Sequence, residues 1–279
     1  MSENRFDLHM HSSCSDGFDP PAQVVRNAAG EGVRLMALTD HDSVQGVPEA
    51  REEGERQGVV VLPAIEMDCE WSSELHMLGL DIDPEHPRLR AALDKAAARR
   101  VARNREIIAR LSAAGYDIAP YLTRAGSSVT RLHIALALVD AGFAQDTRDA
   151  FARYLLPGRP GYYKVERFSP EEVIGLVLAA GGVPVWAHPC HARGNIRALG
   201  ERLRAWGLMG LEVYHPSATA GESELLLSMA RQMKLLASCG SDCHGANKPG
   251  VRIGCTWRPS PELEQTRAFF LARRAGAHK

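Results

Sequence analysis

Short apolar runs alternate with stretches of helical period along most of the chain, and this alternation predicts the fold. Segments 5–12 (RFDLHMHS), 34–41 (RLMALTDH), 59–68 (VVVLPAIEMD) and 74–82 (ELHMLGLDI) read as strands. Three more follow at 182–189, 210–216 and 234–244. Helical patterns separate most of them, at 20–32, 47–57, 170–180, 195–206 and 222–233, and a last one begins near Pro261. Ser169 is placed to cap one of these helices, with Pro170 at its first position and Glu171 and Glu172 in its first turn. The rhythm breaks after residue 83. Beyond Pro87 the chain is rich in Ala, Arg and Leu and free of Pro and Gly as far as Ala114, which predicts one long helix. Shorter helices follow at about 130–141 and 146–154, before the turn-rich PGRPGYY.

Seven strands separated by helices predict a parallel sheet, because parallel pairing needs crossover connections. Strands that are apolar almost throughout fit burial on both faces. An open doubly wound sheet would satisfy this pattern. A closed barrel is favoured because polar residues stand at the ends of so many strands and converge more easily on one axis. The expected fold class is therefore α/β, a barrel built from 1–83 and 164–279. Residues 84–163 form an inserted helical subdomain that covers the barrel mouth and adds substrate contacts.

Composition narrows the function. The 279 residues carry 33 basic and 34 acidic side chains, a formal net charge of -1, which gives no bulk attraction to duplex DNA. The N-terminus has no apolar signal core and no apolar run approaches a membrane span, so a cytoplasmic protein with reduced thiols is expected. Its six cysteines form no CxxC pair. Cys14, Cys190 and Cys243 flank polar strand-end residues and read as packing.

The eleven histidines change the picture most. His9 and His11 sit two apart in a strand, so both imidazoles face one side and can reach one ion. Asp242 and His244 repeat the spacing near the other end of the chain. Asp16, His41, Glu66, His76 and His188 complete a set of nine potential ligands, six imidazoles and three carboxylates. Such a set suits Mn, Fe or Zn better than Ca or Mg. Burying so many polar groups without cations would be costly. Two or three divalent ions per chain are expected, Mn first among them.

The segments DLHMHS with Asp16, TDHD at 39–42, Glu66, His76, AHP at 187–189 and GSDCH at 240–244 resemble the PHP (polymerase and histidinol phosphatase) family. The resemblance spans nearly the whole chain outside the insertion. It implies a distorted (β/α)7 barrel and a phosphoesterase. It also implies a distribution of ligands: His9, His11, Glu66 and Asp242 on one ion; Glu66, His76 and His188 on a second, with Glu66 bridging; Asp16, His41 and His244 on a third. A metal-activated hydroxide would attack phosphorus, with Asp242 orienting it or moving its proton and Glu66 and His188 completing the catalytic group.

For substrate contacts, Arg131 and His133 form an Arg-x-His segment of the kind that helps bind phosphate in the family. Arg99 and Arg103 share a helix face beside Asn104, and Lys164 follows the insertion. Tyr162 and Tyr163 could stack on a base. His191, Asn195 and His215 lie near the mouth, whereas His86 and His278 read as surface residues. A separate arginine cluster suits a substrate with two phosphates. Among PHP branches, the one acting on nucleoside 3',5'-bisphosphates and on short single-stranded RNA from the 5' end is the most similar. The alternatives are a histidinol-phosphate phosphatase, a C–N bond hydrolase, or a non-catalytic metal-binding module.

Overall fold

The computed structural model describes residues 5–122 and 129–276; His278 lies outside them. Seven strands pair in chain order: β1 (Arg5–Asp7), β2 (Val33–Leu38), β3 (Val60–Asp68), β4 (His76–Leu80), β5 (Val183–Ala187), β6 (Gly210–Tyr214) and β7 (Leu236–Cys239). The chain just past β1 then runs beside the chain just past β7. Leu8 N–H donates to Cys239 O at 3.1 Å, Asp242 N–H to His9 O at 2.8 Å and His11 N–H to Cys243 O at 3.0 Å. The sheet is thus nearly closed into a (β/α)7-type barrel.

One expectation is corrected. The sheet is not all parallel, because β4 runs antiparallel to both β3 and β5. The physical reason is the connection. Residues 69–75 between β3 and β4 are too few for a crossover helix, so the chain must turn back on itself. The reversal brings the first residue of β4, His76, to the end of the barrel where the other strands finish. It leaves Leu80 at the opposite end, paired with Val183.

Helices α1 (Pro21–Gly30), α2 (Val47–Gln57), α6 (Pro170–Ala179), α7 (Ile196–Ala205), α8 (Ala220–Met233) and α9 (Pro261–Gly276) clothe the barrel. Ser169 caps α6 as expected: its Oγ accepts from Glu172 N–H at 3.2 Å, and Glu172 accepts from Ser169 N–H at 2.7 Å. Fully buried Trp186, Phe6, Leu62 and Ile65 belong to the main core.

α3 (Pro87–Ala113) starts at the far end of the barrel and climbs toward the mouth. Leu89 and Leu93 near its start belong to the barrel core. Ile107 and Leu111 near its end belong to a separate core with Ile134 and Leu138 of α4 (Arg131–Asp140), Ala150 of α5 (Thr147–Ala150) and Tyr154. Residues 151–155 form one wide helical turn of π type where a continuous helix was expected. Among the described residues, no helix is long and apolar enough to cross a membrane.

Candidate metal centre

All nine predicted residues meet at the mouth, and Glu66 stands in their middle. It is buried at the C-terminal part of β3. Its Oε2 lies 3.3 Å from His9 Nε2, 3.3 Å from His11 Nε2 and 3.2 Å from His41 Nδ1. Its Oε1 lies 2.9 Å from His76 Nδ1 and 3.0 Å from His188 Nε2. Asp242 Oδ1 stands 3.5 and 3.2 Å from His9 and His11 Nε2. Asp16 reaches His244 Nε2 at 3.3 Å and His41 Nε2 at 3.8 Å. His9, His11 and Glu66 form one possible cation group; His11, Asp16, His41 and His244 form another; His41, Glu66 and His76 form a third. His76 and His188 also group with Glu74.

The ring nitrogens test whether a cation fits. His9 Nε2, His11 Nε2 and His41 Nδ1 are buried, yet none makes a hydrogen bond among the described residues. Buried nitrogens left this way are costly, and all three point at the same carboxylate. His9 Nδ1 is 3.0 Å from Glu212 Oε1, an acceptor, so the proton sits on Nδ1 and the Nε2 lone pair faces inward. His244 Nδ1 likewise donates to Asp242 O at 2.9 Å, which leaves the Nε2 lone pair turned toward Asp16. Inward lone pairs among three carboxylates form a donor set suited to divalent cations.

Electrostatics agree. Burial favours neutral Glu66, Asp16 and Asp242, but the surrounding imidazoles outweigh it and hold all three carboxyls far below their usual range. Burial likewise opposes charge on His11 and His76, but the carboxylates win and push them up to about 10 and about 9. His41 goes the other way, to about 4, because burial dominates there.

The turns that aim these side chains are strained. His188 has φ 31 and ψ 60, and Asp242 has φ 52, the left-handed region that non-glycine residues avoid. Such a conformation costs about 1–3 kcal/mol and persists where neighbours hold it. At His188 the holder is Glu212, whose Oε2 accepts the His188 N–H at 2.6 Å.

Glu212 was not anticipated. It lies inside apolar β6, fully buried, and supports two of the nine residues at once. A carboxylate in an otherwise apolar strand was the available signal. Glu212→Gln is expected to lower metal affinity by about 10–100-fold. Metal titration of the variant followed by elemental analysis checks this, and unchanged affinity would contradict it.

Asp68 was also missed, although it lies two residues beyond Glu66 on the same strand face. Its Oδ1 is 3.2 Å from His76 Nε2, and its Oδ2 is 3.4 Å from Arg167 Nε. Lys248 Nζ is 2.5 Å from Asp242 Oδ2, and His215 Nε2 is 3.3 Å from the same oxygen. Asp40, beside His41 at the end of β2, ties down the 11–16 loop. It accepts from Ser12 N–H at 2.8 Å, Ser12 Oγ at 2.6 Å and Ser15 Oγ at 2.5 Å.

The expected substrate residues divide. Arg103 and Arg131 line a cavity of about 140 Å³ together with Asp16, His41, Asp68 and His76. Among the described residues neither guanidinium has an ion-pair partner. Burial, then the charge of Arg131, lowers Arg103 to about 10; burial lowers Arg131 as well. Asn104 braces Arg103, accepting from its Nε at 3.2 Å and donating to Val129 O at 2.7 Å. His133 Nδ1 accepts the Thr130 N–H at 3.0 Å, closing the N-terminus of α4.

Arg99 instead pairs with Glu166 and lies over Phe168, while its neighbour Arg100 turns to Asp42. Lys164 is mostly exposed and pairs with Glu70 at 2.8 Å. Asn195 caps α7. A second cleft of about 440 Å³ shares His76, Arg103 and Arg131 with the first cavity and continues past Trp71, Tyr162 and Tyr163.

Residues 7–126 match the PHP domain, and the chain belongs to the PHP family. It is 37% identical to a 3',5'-nucleoside bisphosphate phosphatase of Chromobacterium violaceum, over 90% of each chain. It is 35% identical to the 5'-3' exoribonuclease Rnm of Escherichia coli, over 95% of this chain and 89% of the relative. The structure of an amidohydrolase from Chromobacterium violaceum, with bound sulfate and no metal, superposes with a TM-score of 0.87 at 35% identity. That match covers 95% of this chain and 96% of the other.

Proposed function

We propose that this protein is a metal-dependent phosphatase that removes a phosphate monoester from nucleoside 3',5'-bisphosphates, such as adenosine 3',5'-bisphosphate to AMP. The observation that carries the reading is the pair of arginines, buried Arg103 and half-buried Arg131, which have no ion-pair partner among the described residues and stand across a small cavity from Asp16, His41 and His76. Cations at the nine residues would take the reacting phosphate. The arginines would take the second phosphate, whose charge relieves the repulsion between them. A single-phosphate substrate with a cationic tail, such as histidinol phosphate, would leave these guanidiniums unanswered. A non-catalytic module would not need them.

His9, His11, Glu66 and Asp242 would hold one ion, Glu66, His76 and His188 a second, and Asp16, His41 and His244 a third. Mn heads the choice, with Fe or Zn as alternatives. Bound ions would lower the pKa of water and offset charge on the phosphoryl oxygens. Asp242 would orient the attacking water and accept its proton, while Lys248 and His215 fix the other carboxylate oxygen. Glu66 and His188 keep the centre's geometry.

In the same reading, residues 84–163 are an insertion between 1–83 and 164–279. They cover the mouth and supply Arg103 and Arg131, with Asn104 and His133 holding those segments in place. Lys164 and Arg99 serve the outer rim. The larger cleft with its aromatic side chains supports a second reading, removal of nucleotides from the 5' end of short single-stranded RNA, which the Escherichia coli relative's name also favours. Duplex DNA and membranes are not partners in this reading, and the cytoplasm is its setting.

The test is phosphate release by the Mn-loaded protein. Adenosine 3',5'-bisphosphate should be hydrolysed and histidinol phosphate should not; inactivity on every phosphoester would sink the proposal. Arg131→Ala should raise KM for the bisphosphate by about 10–100-fold, the loss of a charged hydrogen-bond pair. Its metal content should stay intact, and an unaltered KM would remove Arg131 from the phosphate site.

A further inference from the structure

We propose that Cys190, His191 and His215 form a separate zinc site at the rim of the metal centre, through which zinc slows turnover. None of the three belongs to the nine-residue set. The left-handed turn at His188 leads into a single 3-10 turn, Pro189–His191, which swings Cys190 and His191 toward His215 beyond the end of β6. One ligand atom from each of the three lies within 4.8 Å of the others. The His191 and His215 rings meet edge-on at 5.4 Å. Glu74, from the turn between β3 and β4, stands 3.1 Å from His191 Nδ1 and offers an oxygen as a fourth ligand.

One sulfur, two imidazole nitrogens and one carboxylate oxygen form a four-coordinate zinc set. The sulfur selects zinc or cadmium over Mn, which prefers oxygen donors. Cys190 and His191 are half-buried and Glu74 is exposed, so a cation can arrive without crossing the inner centre. On binding, the thiol proton leaves to solvent and no electron is transferred.

The consequence for turnover comes from His215. Its Nδ1 accepts the Ser217 N–H at 3.1 Å, so the ring proton is on Nε2, which faces Asp242 Oδ2 at 3.3 Å. An ion that takes His215 through Nε2 releases that proton to solvent and so withdraws this donor from Asp242, without drawing a ligand from the nine inner residues. Cys190 is none of the nine and lines neither cleft of the mouth, so its removal should leave the basal rate alone.

The experiment uses the Mn-loaded protein and its Cys190→Ser variant at one pH. Zinc is titrated against phosphate release, and cadmium against ultraviolet absorbance as a probe of sulfur ligation. The wild-type protein should bind one more equivalent than the variant and show a larger sulfur-to-cadmium band. It should also lose turnover at a zinc concentration at least about tenfold lower. Cys190→Ala should behave like Cys190→Ser. Equal inhibition of wild type and both variants would place zinc's effect in the inner centre and overturn the proposal, as would equal cadmium bands. The bound equivalents and the band do not depend on which phosphoester is the substrate, so they stand or fall apart from the bisphosphate reading.

Discussion

Glu66→Gln is expected to release metal and to cost turnover on the order of 10³-fold or more. The carboxylate is nearly inaccessible, and its two oxygens divide the site: one faces His9, His11 and His41, and the other faces His76 and His188. The surrounding imidazoles hold its pKa far below the ordinary value against the effect of burial, so it is charged at any working pH. Glutamine therefore mimics no state that the native group visits. Its amide nitrogen would turn hydrogens toward lone pairs that need a cation. Elemental analysis should find fewer ions per chain. A variant with full metal content and a normal rate would refute the central place given to this residue.

Asp242→Asn should act differently, lowering kcat by about 10²–10⁴-fold with KM and metal content little changed. The two oxygens of Asp242 face different neighbours. Oδ1 looks to His9 and His11, and Oδ2 looks to Lys248 and His215, both donors. An asparagine oxygen can replace Oδ1, but its NH2 then meets two donors and cannot accept a proton from water. Steady-state kinetics beside metal analysis separates the two variants. Full activity would exclude Asp242 from proton transfer. Loss of metal would make it a structural ligand alone.

Much of this site was legible in the chain because its residue types stand out at strand ends. Histidine and carboxylate at the close of apolar runs are conspicuous, and the barrel carries them to one place. Glu212 escaped notice because it sits in the middle of such a run, where a charged residue looks like an irregularity. Its role is visible only once His9 and His188 are beside it. Residues 69–75 did hold the clue to the reversed β4, since no crossover fits in them, but apolar patterning is the same for either strand direction. The arginines show the limit of helical spacing. Arg99 and Arg103 share a face, yet one turn of rise separates a residue engaged by Glu166 from one at the cavity wall.

The length of α3 has a consequence of its own. Because β4 ends at the bottom of the barrel, the chain must return the whole height before it can contribute to the mouth. Twenty-seven residues of helix span about 40 Å, enough for that climb. The helix is therefore a strut of fixed gauge. Removing three residues ahead of Arg100 would lower the later part by about 4.5 Å and turn it by about 60°. The arginines would then address a different part of the opening. In the bisphosphate reading, substrate size is thus set partly by a count of residues that never approach the substrate.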